Sequence, residues 1–227
     1  MDGPATHTAR HRTATGAWTV FAAVAVAGAG GMALEMTASR MLLPYYGDSY
    51  LVWANLIGLV LAALSLGYYV GGAVADRWPS SRLLGLALLG AGTWTAGIPA
   101  LGSVWLPYLD RVMPVSQTGC VVGSFLAVTI LLAAPVLLLG LVPPLAIRLL
   151  LEGVAVAGNL TGRVYAVSTV GSMVGTFAPV LWLMPAFGVR ATFAVAAAVL
   201  GLTGLLGLAA SVRRGRAGSF GPARDAW

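Results

Sequence analysis

Glu35 stands inside an apolar run, five residues before Arg40, in a chain that carries seven acidic and 13 basic residues. An ionised carboxylate is costly inside a hydrophobic segment, so it is expected to face protein or water. Its role is a proton-coupling group or ligand for a cationic solute, or else a structural partner for Arg40 or a residue just reaching the outer interface. Residues five apart lie about 140° apart around a helix, which places the two side chains on different faces. The solute role therefore leads.

Arg40, Tyr45, Tyr46 and Asp48 follow at the end of this run, with Pro44 and Gly47 as turn residues among them. Trp53 and Asn55 lie in the next apolar run, where Asn55 reads as a buried amide or a bridge between helices. Tyr68 and Tyr69 come near its far end, a place where aromatic rings also anchor at an interface. Tyr165, Ser168, Thr169 and Ser172 recur at three and four residues and make one polar stripe on a helix. That stripe lines a cavity, or it bonds locally to backbone beside small-residue packing. The candidate substrate-binding set is Glu35, Arg40, Trp53, Asn55, Tyr68, Tyr165, Ser168, Thr169 and Ser172. No catalytic residue is assignable from these types. His7 and His11 lie in a polar N-terminal stretch and Cys120 is the one cysteine, so neither a metal site, a cofactor nor a disulfide framework is expected.

The elements that position these groups follow from composition. The chain is 59% hydrophobic and 9% charged, with a mean hydropathy of +0.88. So few charges could not cover a soluble domain, and a multi-pass helical membrane protein is expected. Windows of about 20 apolar residues give six spans, at 17–38, 51–74, 83–105, 118–142, 164–187 and 191–212. The basic start before residue 17 resembles that of a signal peptide, but apolar character continues past residue 33, which favours a first span. Residues 1–16 form a polar tail and 213–227 a basic one, and 143–162 is the longest connection. Pro143-Pro144 is expected to break the fourth helix, and Arg148 and Glu152 suit a following helix along the membrane surface.

All 13 basic residues are arginine. Six spans put Arg10, Arg12, Arg77, Arg82, Arg148, Arg163, Arg213, Arg214, Arg216 and Arg224 on one side and Arg40, Arg111 and Arg190 on the other. That asymmetry predicts both termini in the cytoplasm and residence in the cell's inner (plasma) membrane, with no role in nucleic-acid binding. Gly67 with Gly71, Gly119 with Gly123, and Gly171 with Gly175 are small-residue pairs that allow close helix approach, and Gly201, Gly204 and Gly207 add to the last helix.

The run Gly71-Gly72, then Asp76-Arg77 and Arg82, resembles the loop signature of major facilitator transporters. The resemblance implies that Asp76 and Arg77 brace neighbouring helices and gate the inner mouth, with Gly72 permitting close packing. A wider set is similar to the membrane portion of bacterial fused spermidine-synthase-like proteins: Glu35, Ser39-Arg40, Pro44-Tyr45-Tyr46-Gly47, Trp53, Gly67-Tyr68, Gly71-Gly72 and Asp76-Arg77. The later run Gly162 to Ser172, with Gly175, Pro185 and Gly188, extends it. In that family a transporter-like helical portion precedes a soluble aminopropyltransferase that binds a polyamine. No such soluble portion is read in these residues.

The expected architecture is all-α, a six-helix bundle resembling half of a major facilitator transporter. Such a half exposes the face that meets its mate, so a homodimer or a second half-transporter is expected. One functional reading is a transporter-like protein for a cationic, polyamine-like or amphiphilic solute, with Glu35, Asn55 and Tyr165 lining a water-filled path. The other is a membrane-embedded enzyme, or a membrane subunit that docks a soluble transferase around Arg77, Arg82 and Arg148.

Overall fold

Apolar helices that cannot leave backbone groups unpaired in lipid dominate the fold. The computed structural model describes residues 5–151 and 157–218, with side chains described for 16–151 and 157–212. Glu152 and the ends of both tails lie outside the described residues. The elements are α1 (Ala5–Tyr46), α2 (Tyr50–Arg77), α3 (Ser81–Val112), α4 (Gln117–Gly140), α5 (Val142–Leu150), α6 (Ala157–Ala178), a π-helical turn (Pro179–Leu183) and α7 (Met184–Gly218). No strand occurs among the described residues.

Local chemistry sets the boundaries. Ser49, Ser80 and Ser116 cap α2, α3 and α4, each hydroxyl accepting from a backbone N–H of the first turn. Pro44, expected in the turn, lies inside the last turn of α1. Gly47 ends that helix with φ of 71°, its N–H donating to the Leu43 carbonyl at 3.0 Å. The expected break at Pro143-Pro144 falls at Leu141 instead. Both prolines occupy the first turn of α5, where a missing N–H costs nothing. This helix also packs on the bundle. It buries Val142, Pro143, Leu145 and Ala146, packing chiefly on α2 with α1, α3 and α6 alongside.

Five stretches are long and apolar enough to cross a membrane: Gly16–Tyr46, Tyr50–Arg77, Ser81–Val112, Gln117–Leu150 and Ala157–Val212. The last has 56 residues, far more than the roughly 20 that a bilayer needs. Within it Gly188 leaves helical geometry, at φ 80° and ψ 173°, a conformation that a side chain would strain.

Three seams join the helices, and small residues make each one. On α6, a Cβ at Gly171 would fall on the Ala25 carbonyl of α1 and one at Gly175 on that of Ala29, while Gly28 meets the Ser168 carbonyl. Positions advance together, so α6 runs parallel to α1. On α2, Gly67 meets the Leu137 carbonyl and Gly71 meets Leu141, while Gly140 of α4 meets the Leu64 carbonyl. These two helices are also parallel. Gly85 of α3 meets Gly204 and Leu208 of α7, and Gly92 meets Gly201 and Ala197, so that pair is antiparallel.

The first two seams repeat one another contact for contact. Ala25, Gly28 and Ala29 take the places of Leu137, Gly140 and Leu141. Ser168, Gly171 and Gly175 take those of Leu64, Gly67 and Gly71. Gly119 and Gly123 behave differently from the other glycine pairs: Gly119 meets the Pro114 carbonyl and Gly123 the Tyr46 ring. Between the seams, Leu34, Leu88, Leu131, Leu132, Phe193 and Leu200 fill a shared apolar core.

Candidate functional site

The buried stripe of α1 runs through Val24, Ala27, Leu34, Ala38 and Leu42, and Glu35 joins it at 5% exposure. By helical angle Glu35 falls within about 20° of both Gly28 and Leu42. It is the only buried carboxylate among the described residues, and no ion pair involves it there. Arg40 does not approach it as a partner. That guanidinium is exposed and lines cavities at the far end of α1.

Trp53 lies near Arg40, both bordering a small cavity of about 40 Å³. Its indole Nε1–H donates to Asp48 Oδ1 at 2.7 Å, tying the start of α2 to the turn before it. Asn55 serves as a bridge between helices. Its amide donates to the Val121 carbonyl and to Ser124 Oγ of α4, each at 2.8 Å. Asn55→Ala is expected to lower stability by about 1 kcal/mol, in the range of interhelical side-chain bonds in membranes. Thermal unfolding in detergent reads this loss.

Tyr68 of α2 and Tyr165 of α6 are both exposed. Along α6 the polar stripe divides. Thr169 Oγ donates to the Tyr165 carbonyl at 2.9 Å, and Ser172 Oγ donates to Gly28 of α1 at 3.3 Å. Ser168 packs on Gly28. The Ser168 and Ser172 hydroxyls thus serve the α1–α6 seam while Thr169 bonds within α6, and among the described residues Glu35, Asn55 and Tyr165 are held in different settings. Asn55 is bound to α4, Tyr165 faces outward and Glu35 is buried on α1.

At the other end, Asp76 Oδ1 lies 3.6 Å from Arg148 Nε, linking the end of α2 to α5. Asp76 pairs across helices there, while Arg77 is exposed and in no ion pair among the described residues. The close packing expected at Gly72 sits one residue earlier. Nothing lies within 4 Å of a Cβ at Gly72, whereas one at Gly71 would stand 2.8 Å from Leu141 Cα. Arg163 stacks over the Phe21 ring at 5.3 Å, joining α6 to α1 near the same end.

Two features escaped the residue patterns. The Tyr46 hydroxyl is buried without a partner among the described residues, its ring against Gly123. Arg190 of α7 joins Arg40 in one cavity. No group of three potential metal ligands occurs among the described residues. No family model matches the chain, and no curated protein or solved structure matches it significantly.

Proposed function

We propose that this chain is half of a secondary-transporter-like membrane protein that moves a cationic, polyamine-like or amphiphilic solute, completed by a second copy of itself. The observation that carries this reading is the repeated seam. Exchanging α1 with α4 and α2 with α6 reproduces the glycine contacts, and exchanging α3 with α7 returns the Gly85–Leu208 contact as Gly204–Leu89. Three helices followed by three related ones, each set crossing in the opposite sense, is the inverted-repeat plan of many secondary transporters.

Helix directions support six crossings. Since α6 is parallel to α1 and α7 antiparallel to α3, the chain reverses near Gly188 if α1 and α3 cross in the same sense. Both termini then share the arginine-rich side, the cytoplasmic side of a plasma membrane. Tyr68 and Tyr69 of α2 and Tyr165 and Phe177 of α6 are exposed and leave apolar surface for a second copy. Glu35 is the charge that a cation would meet. A lone buried carboxylate suits solute binding better than acid–base catalysis, which needs a second positioned group.

The test is uptake of labelled spermidine by proteoliposomes holding the purified chain. Saturable uptake above empty liposomes is expected. Uptake no faster than leakage into empty liposomes contradicts the reading.

A further inference from the structure

Arg40 and Arg190 come from opposite ends of the sequence, yet both line one cavity of about 300 Å³ where α1 ends and α7 begins. Tyr45 and Ser103 add hydroxyls, and Met41 and Phe193 supply apolar wall. No carboxylate lines it. The acids nearest in sequence to its lining are Asp48, which borders the neighbouring small cavity with Arg40 and accepts the Trp53 indole N–H, and Asp110, one turn past Leu106 on α3. Neither forms an ion pair with Arg40 or Arg190 among the described residues.

Two like charges at one cavity repel, and more strongly where water is scarce. An oxyanion removes that penalty, and guanidinium groups bind phosphate oxygens in pairs of parallel hydrogen bonds. Arginines at this end also oppose the charge asymmetry of the rest of the chain, so their convergence has a local cause. The volume sits at the lower limit of small-molecule sites, about 300–1,000 Å³. That is room for a head group and a few methylenes. Both arginines are exposed, at the ends of long apolar helices.

The geometry points to a site for the phosphate of an anionic lipid, held by Arg40 and Arg190, with the first methylenes of its chains against Met41 and Phe193. It is independent of which solute the bundle moves.

The test uses the full chain in neutral detergent and compares short-chain phosphatidylglycerol, phosphatidylcholine of equal chain length, and inorganic phosphate. Phosphatidylglycerol is expected to bind at least about tenfold more tightly than phosphatidylcholine, as loss of charge-assisted bonds predicts. R40Q/R190Q removes that preference. Arg111→Gln, at the same end and outside the cavity, keeps it. Should the double variant fold poorly, Ser103→Trp fills the cavity with both arginines present and is expected to remove the preference too. Equal affinity for the two lipids overturns the site, as does a preference that survives both cavity variants. Full competition by inorganic phosphate overturns the lipid assignment and makes the ligand a free oxyanion.

Discussion

Gly71→Ala is expected to destabilise the bundle by about 2 kcal/mol, while Gly72→Ala, one residue on, stabilises it by up to about 1 kcal/mol. Both changes gain the same helix propensity, roughly 1 kcal/mol for glycine to alanine. They differ in what the new methyl meets. At Gly71 it stands 2.8 Å from Leu141 Cα and from Pro144 Cγ, so backbone must move, and overpacking of that kind costs about 1–3 kcal/mol. At Gly72 nothing lies within 4 Å. Gly175→Ala should behave like Gly71→Ala, because Gly175 holds the equivalent place against Ala29. Thermal unfolding of the three variants in one detergent reads the signs. Equal effects at Gly71 and Gly72 would deny the α2–α4 seam.

Glu35→Gln is expected to lower spermidine uptake by about tenfold or more, because an amide keeps the size and loses the charge. The variant should fold at least as well as the parent. A buried carboxylate bears a desolvation cost that a neutral amide largely avoids, and no ion pair to Glu35 is broken among the described residues. That combination separates a solute ligand from a structural group. Unchanged uptake with lowered stability would assign Glu35 to structure.

Much of the helical architecture was legible because apolar runs of this length have few other solutions. The small-residue pairs Gly67–Gly71 and Gly171–Gly175 also marked true contact surfaces. A repeat was present but faint. Residues 61–75 and 165–179 share Ala62, Gly67, Val70 and Gly71 with Ala166, Gly171, Val174 and Gly175. Spacing identifies a small surface without naming its partner, so Gly28 and Gly140 emerged only from packing. The candidate site was less legible. Asn55 offers the same amide to a solute and to a helix, and only the position of Val121 and Ser124 decides between them. Arg40 and Arg190 are too far apart in sequence for any local pattern to join them. The Gly71-Gly72 pair does not say which glycine faces α4, and packing gives that place to Gly71.

The claim on which the account rests is that the chain reverses at Gly188, making two inverted sets of three crossings. Sided labelling of single cysteines tests it, in a Cys120→Ser background with Ser80→Cys, Val115→Cys and Arg190→Cys placed one at a time in sealed vesicles of known orientation. Position 80 is expected to react from the cytoplasmic side and positions 115 and 190 from the opposite side. Labelling of position 190 from the same side as position 80 would contradict it.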